Sequence, residues 1–290
     1  MNLCSFLYSR MVRFSVENLE ALVEIALKED LGEKGDVTSL ALIDPQTHST
    51  ISMVSRSNGI FAGVTPAKIV AKKVDPNLEI KFNINDGDTV KAGTTIAQIS
   101  GNLQSILKAE RTMLNFVQHL SGIAKLTREF KDLISSCGST TEIRDTRKTL
   151  PGYRSLEKQA VVAGGGTNHR MGLYDAFLIK DNHLAATNIG DVVNKCRSYN
   201  PDIPLEIEVD SIEQLEVVVQ HKPDLILLDN FEVEDIKLAK EIAGDIALEI
   251  SGGVTLDNVV EYAKTNVKYI AVGAITHSAK ALDIGFDYDH

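Results

Sequence analysis

Short apolar runs recur through the second half of this chain at nearly constant spacing, and that recurrence narrows the possible folds more than any other feature. The runs occupy 176–179, 205–209, 225–228, 247–250 and 269–272, and the starts at 205, 225, 247 and 269 are 20, 22 and 22 residues apart. This is the length of one strand, one loop and one helix. Helical patterns fill the gaps: Ser211 and Gln214 have capping-box spacing, and 233–242 alternates charge along an amphipathic face. Strand and helix in strict alternation imply a parallel sheet. A repeat this regular favours a barrel closed on itself, an open doubly wound sheet being the alternative.

The first part of the chain is built differently. Leu19, Leu22, Val23, Ala26 and Leu27 form one apolar helical stripe that begins at Val16 and ends at Gly32. From 49 to 99 the pattern becomes short alternating or β-branched runs (51–54, 79–84, 94–99), punctuated by Gly59, Gly63, Gly87, Gly93 and Gly101. That predicts a small sheet-rich unit. The turn Asn85-Asp86-Gly87-Asp88 resembles the hairpins of hammerhead domains in shape only, since no modifiable Lys occupies a hairpin tip. An amphipathic stretch over 107–134 follows, with Gly122 expected to split it into two helices or kink one. The expected division is a tail at 1–15, an amino-terminal unit at 16–120 and a barrel unit at 121–290, the last residues being able to return to the first unit.

Composition removes several function classes. With 43% apolar residues among 290, the chain can fill a sizeable core, and its formal net charge of −10 argues against nucleic acid as the main partner. Its longest apolar stretches are broken by charge within about ten residues, whereas a bilayer core needs about 20, so no membrane partner is expected. Cys4, Cys137 and Cys196 are far apart and lack C-x-x-C spacing, which points to reduced thiols in a cytoplasmic protein. The segment 1–13 lacks the apolar core and cleavage site of a signal peptide. It reads as a tail, with Met11 as an alternative start.

In a parallel barrel the reacting groups gather at the carboxyl ends of the strands. Each inferred strand here runs into a polar or glycine-containing tip: Lys180, Glu208, Asp229, Ser251-Gly252-Gly253 and Gly273-Ala274. The last two loops fall where barrels bind phosphate with backbone N–H groups, which favours that role over simple tight turns. Upstream, 144–180 holds Arg144, Arg147, Lys148, Arg154, Lys158, Arg170 and Lys180 against only Asp145, Glu157 and Asp175. Such a cationic island focuses anions. The glycines 164–166 precede Asn168-His169-Arg170 and let backbone approach a ligand. Glu208 and Asp229, beside so many cations, suit Mg2+ or the paired hydroxyls of a ribose. A glycosidase pair is disfavoured, because those cations would keep both carboxylates ionised and leave no general acid.

At these residues a family resemblance becomes specific. Thr146-Arg147-Lys148-Thr149-Leu150-Pro151-Gly152, Gly164-Gly165-Gly166-Thr167-Asn168-His169-Arg170, Leu178-Ile179-Lys180-Asp181-Asn182-His183 and Ser251-Gly252-Gly253 resemble the quinolinate phosphoribosyltransferases. The resemblance runs from about Val16 to about Asp287 and includes Lys28-Glu29-Asp30-Leu31-Gly32, Gly35-Asp36-Val37-Thr38-Ser39 and the helix carrying Glu110-Arg111 and Leu114-Asn115-Phe116. Only the segment before Met11 departs from the family's usual start. The resemblance implies an α/β fold: an amino-terminal α/β sandwich plus a distorted TIM-like barrel. It also implies a homodimer and the Mg2+-dependent reaction of quinolinate with phosphoribosyl pyrophosphate to give nicotinate mononucleotide, pyrophosphate and CO2 in NAD biosynthesis. Carried over, Arg147, His169, Arg170 and Lys180 hold the quinolinate carboxylates, with Arg111 entering from the other subunit. Lys148 faces carboxylate or pyrophosphate. Glu208 and Asp229 hold ribose hydroxyls and Mg2+, while the loops at Ser251, Gly252, Gly253, Gly273 and Ala274 take the 5′-phosphate.

Three other readings compete. Lys180 could be the Schiff-base lysine of an aldolase-like enzyme, the acceptor could be another base, or the chain could bind a phosphosugar without turning it over. His48, His221 and His290 read as surface residues and His119 as a packing or capping residue. For His183 and His277, near strand ends, a site-shaping role and a structural hydrogen bond both stay open.

Overall fold

The computed structural model describes residues 16–184 and 188–288; the expected tail lies outside them. These residues form two compact units, one of 16–128, Leu150–Gly165 and 278–288, the other of Glu129–Thr149 and Gly166–His277.

The first unit opens with α1 (Val16–Leu31), which buries Leu19, Val23 and Leu27 from its predicted stripe. It stops where Gly32 takes a left-handed φ of 51°. Helix α2 (Val37–Leu42) is capped by Asp36, whose carboxylate accepts the N–H groups of Thr38 and Ser39. A four-stranded antiparallel sheet follows the order β12-β1-β5-β3, with β1 (His48–Ser55), β3 (Glu79–Phe82), β5 (Thr95–Asn102) and β12 (Ile284–Tyr288). Ile51 and Met53 of β1 are wholly buried, each burial contributing roughly 1.5–3 kcal/mol. Two short strands, β2 (Gly59–Ile60) and β4 (Thr89–Val90), pair separately. The turn around Gly87 has a concrete task. Its Asp86 carboxylate accepts from Gly63 and Val64 N–H at 2.8 and 3.0 Å, satisfying the start of α3 (Val64–Val74).

Helix α4 runs unbroken from Leu103 to Ser136, 34 residues, so Gly122 does not split it into two helices. Packing gives this glycine another role. A Cβ at Gly122 would lie 2.2 Å from the Lys280 carbonyl oxygen and 3.1 Å from Ala281 Cα; the glycine makes room for the returning carboxyl-terminal segment. Helix α5 (Arg154–Gly164) also belongs to this unit, although strict strand–helix alternation would assign it to the repeat. Gly164 is the reason. A Cβ there would sit 2.4 Å from Ala124 O and 2.5 Å from Thr127 Cβ, and Arg128 Nε donates to Gly164 O at 2.9 Å.

The second unit is a six-stranded parallel sheet in the order β6-β11-β10-β9-β8-β7. Its strands are β6 (Glu142–Arg144), β7 (Phe177–Ile179), β8 (Leu205–Val209), β9 (Leu225–Asp229), β10 (Ala247–Ser251) and β11 (Tyr269–Ala271). The first strand in the chain pairs with the last, β6 and β7 form the two edges, and a bridge between Arg144 and Thr167 extends the β6 edge. The parallel α/β unit is present. Helices α6 (Asp181–Leu184), α7 (Ile189–Tyr199), α8 (Ile212–Val218), α9 (Val233–Ala243), α10 (Val259–Ala263) and α11 (Ala274–His277) fall between or after the strands. Ser211 caps α8 by accepting from Gln214 N–H. No helix among the described residues is long and apolar enough to cross a membrane.

Gly122→Ala separates the two explanations for that glycine. A mid-helix Gly→Ala change relieves about 0.5–1 kcal/mol where space exists, whereas forcing a methyl into a packed contact costs about 1–3 kcal/mol. The urea midpoint of the variant should fall, and a rise would show that Gly122 is a hinge.

Candidate active site

Strand register decides which side chains share a face, because successive residues point to opposite sides. Leu178 pairs with Glu206, Glu208 with Leu227, Leu227 with Glu249 and Glu249 with Tyr269. One step onward Asp229 pairs with Ser251, Ser251 with Ala271 and Ala271 with Arg144. Glu206, Glu208, Asp229, Glu249, Ser251 and Arg144 therefore lie on one face. The opposite face carries the buried apolar set Ile207, Val209, Ile226, Leu228, Leu248 and Ile250.

Lys180, just past β7, continues the charged face and forms an ion pair with Glu208. Its backbone is fixed by His183: Lys180 N–H donates to His183 Nδ1 at 3.0 Å, and His183 N–H to Lys180 O at 2.9 Å. The structural hydrogen bond is thus the observed use of His183. Lys148 and Gly273 follow the neighbouring strands β6 and β11. Thr276 Oγ1 donates to Lys148 O at 2.8 Å, and a Cβ at Gly273 would lie 3.0 Å from Lys148 Cδ and 3.2 Å from His277 Nε2. Lys148, Gly273 and His277 therefore converge, and any side chain at Gly273 would push the lysine aside.

The Asp229 tip is locked to the glycine loop. Asn230 adopts a left-handed φ of 56°, donates its backbone N–H to Ser251 O at 2.8 Å and its Nδ2 to Asp229 Oδ2 at 3.0 Å. Gly252, at φ 95°, could not carry a Cβ, which would fall 2.1 Å from Asn230 Oδ1; Gly253 is also left-handed at φ 63°. Strain of this kind persists where a site is over-determined by its surroundings.

Arg147 is half-buried and Lys148 exposed. Arg170 is nearly buried and donates Nη1 to Ala176 O at 3.0 Å, while Asp175 ties the loop by accepting from Met171 and Gly172 N–H at 2.6 and 2.9 Å. The cationic island of the sequence divides. Arg144 is an interior residue, 1% exposed, paired with the buried Glu249 and stacked 4.0 Å over the Tyr269 ring. Arg154 and Lys158 lie on α5 in the other unit, Lys158 buried. Arg147, Lys148, Arg170 and Lys180 stay in the unit of the parallel sheet, and Arg111 is exposed on α4 in the amino-terminal unit.

Beneath these tips His169, Glu206 and Glu249 present ligand atoms within 4.8 Å of one another. The spacing would suit a metal, but the Arg144 guanidinium already pairs with Glu249 and repels a second cation. Burial pushes the His169 imidazole pKa down, and the carboxylates of Glu206 and Glu249 outweigh it and push it up. A second proton would nevertheless have to enter at Nδ1, where the Arg170 N–H already points from 2.7 Å. The neutral ring with its proton on Nε2 is the form this geometry accommodates.

Residues 123–287 match the carboxyl-terminal domain of quinolinate phosphoribosyl transferase, and residues 36–121 match its amino-terminal domain. The chain belongs to the quinolinate phosphoribosyltransferase family. It is 45% identical over 269 residues to the nicotinate-nucleotide pyrophosphorylase [carboxylating] of Mycobacterium leprae, covering 90% of this chain and 94% of that protein. It is 40% identical to quinolinate phosphoribosyltransferase [decarboxylating] 2 of Nicotiana glauca, covering 94% and 82%. The solved nicotinate-nucleotide pyrophosphorylase of Francisella tularensis superposes with a TM-score of 0.92 at 39% identity, over 97% of this chain and 99% of that one. Glu206, Glu249 and Asn230 are not among the site residues that the sequence points to. The two glutamates carried a signal: charges flanked by fully apolar neighbours on strands predicted to be buried.

Proposed function

We infer that this chain transfers the phosphoribosyl group of phosphoribosyl pyrophosphate to quinolinate, releasing pyrophosphate and CO2 and forming nicotinate mononucleotide, a step of NAD biosynthesis. The observation that carries this reading is the charged face of the parallel sheet in a chain of this family, where Lys180 pairs with Glu208, Asp229 is tied to the Ser251 loop through Asn230, and Lys148 lies against Gly273; Arg147 and Arg170 complete the cationic set in this reading. The ligands are heavily anionic, so cations must dominate. Arg147, Arg170 and Lys180 hold the two carboxylates, with His169 beneath them and Arg111 contributed by the partner of a homodimer. Arginine suits the planar carboxylates and the lysines suit rounder charge. Lys148, lying across Gly273, faces pyrophosphate, and the loops Ser251-Gly252-Gly253 and Gly273-Ala274 take the 5′-phosphate through backbone N–H groups.

The pyridine nitrogen of quinolinate is itself the nucleophile, and no general base is required. As pyrophosphate leaves, positive charge develops at the anomeric carbon, where Glu208 or Asp229 stabilises it. The ribosylated ring is a pyridinium, whose positive nitrogen stabilises the electron pair left on the adjacent ring carbon when its carboxylate departs as CO2, and that carbon then takes a proton from solvent to give nicotinate mononucleotide. Arg147 and Arg170 orient that carboxylate, and a grip that tightened as it became neutral CO2 would slow the step. The hard oxygens of Glu208 and Asp229 fit Mg2+ arriving with pyrophosphate, which would neutralise leaving-group charge. Lys180 is engaged by the Glu208 carboxylate, which opposes the Schiff-base alternative, where the amine must be free to attack a carbonyl. A cytoplasmic location agrees with the free thiols of Cys137 and Cys196.

Two measurements test this reading. The enzyme should release CO2 from quinolinate only when phosphoribosyl pyrophosphate and Mg2+ are both present, and should leave nicotinate unreacted; turnover of nicotinate at a comparable rate would refute the dicarboxylate site. Arg111→Ala and Lys148→Ala homodimers should each be inactive. Mixing them should restore about a quarter of wild-type activity, since half the dimers then hold one intact site, and no recovery in verified mixed dimers would place Arg111 outside a shared site.

A further inference from the structure

Two carboxylates under the strand ends take no part in the chemistry above. Glu206 on β8 and Glu249 on β10 are fully buried, and hiding an ion costs several kcal/mol unless its surroundings compensate it. Both face one imidazole. His169 Nε2 lies 3.2 Å from Glu206 Oε2 and 3.5 Å from Glu249 Oε1. The other ring nitrogen accepts the Arg170 backbone N–H at 2.7 Å. A nitrogen that accepts carries no proton, so the ring proton sits on Nε2, facing the two carboxyl groups. Tautomer and ring orientation are fixed together.

The same cluster holds the adjacent backbone. Arg144, paired with Glu249, donates Nη2 to Asn168 O at 3.0 Å, and Asp145 Oδ1 accepts from His169 N–H at 3.0 Å. The Asn168 carbonyl, the His169 N–H and the Arg170 N–H are thus each held by a side chain rooted in or beside the parallel sheet. Arg170 continues directly from this clamped stretch, its Nη1 donating to Ala176 O at 3.0 Å.

We propose that Glu206 and Glu249 are positioning residues for the acceptor: by locking His169 they fix the backbone from which Arg170 reaches the acceptor carboxylates. The proposal rests on the quinolinate reading of that site. It assigns the two buried glutamates an effect on one substrate and none on the phosphoribosyl donor, which the Asp229 and Ser251 side of the sheet receives.

Glu206 is the residue to change, because altering Glu249 strands the Arg144 cation. Glu206→Leu and Glu206→Gln are compared with the unmodified enzyme by thermal melting, by KM for each substrate and by 15N NMR of the imidazole. The unmodified ring should show an unprotonated Nδ1 and a protonated Nε2. Glu206→Leu should give mixed tautomers and raise the KM for quinolinate roughly tenfold, with the KM for phosphoribosyl pyrophosphate within about twofold; Glu206→Gln, which can still accept from Nε2, should restore most of the loss. An unchanged quinolinate KM in a folded Glu206→Leu enzyme, or two KM values rising together with a lower melting temperature, overturns the proposal. No turnover of quinolinate by the unmodified enzyme overturns the reaction itself and this proposal with it.

Discussion

The Arg144 guanidinium and the Glu249 carboxylate meet where neither is exposed, on the same face of a parallel sheet whose first and last strands are neighbours. Removing either partner of such a pair typically costs about 3–5 kcal/mol, because the other charge is left buried alone. Everything above it depends on this contact. Arg144 anchors the backbone of Asn168 and lies two strands from Ser251, at the same level, by way of Ala271; Glu249 faces His169. This face of the sheet therefore carries a buried charged cluster around His169, where an apolar filling would have left His169 and the Asn168 backbone with weaker support.

A single periodicity serves two ends. Because strand side chains alternate, β6, β8, β9 and β10 supply apolar residues to one face and charged residues to the other, so the core and the site are laid down together. Ile207 and Val209 secure β8 while Glu206 and Glu208 charge its other face. The depth along the strand then separates roles: Glu206 and Glu249 are sealed, whereas Glu208, Asp229 and Ser251 stay partly open at the tips. Backbone strain appears at the same level, in the left-handed Asn230 and in Gly252, whose close contact admits no side chain.

Much of this was legible in the sequence, and the exceptions have physical causes. The runs beginning at 205, 225, 247 and 269 are strands β8 to β11 because their outward residues are unbroken apolar ones. Strand β6 escaped notice since Glu142 and Arg144 leave one apolar residue between two charges, a pattern that does not reveal an ionic interior. Counting charge along 144–180 grouped Arg144, Arg154 and Lys158 with residues at the strand ends, since linear charge carries no information about which side chains the fold encloses. Gly122 looked like a helix breaker; only the approach of Lys280 gives it a different reason. His183 was left between two roles that differ by one hydrogen bond, to the Lys180 backbone.

The most direct measurement is a crystal structure of the enzyme with quinolinate bound. The account predicts both carboxylates within hydrogen-bond reach of Arg147, Arg170 and Lys180, with His169 still held between Glu206 and Glu249. Carboxylates held by other residues, or a His169 ring that has left the two glutamates to bind the ligand, would contradict it.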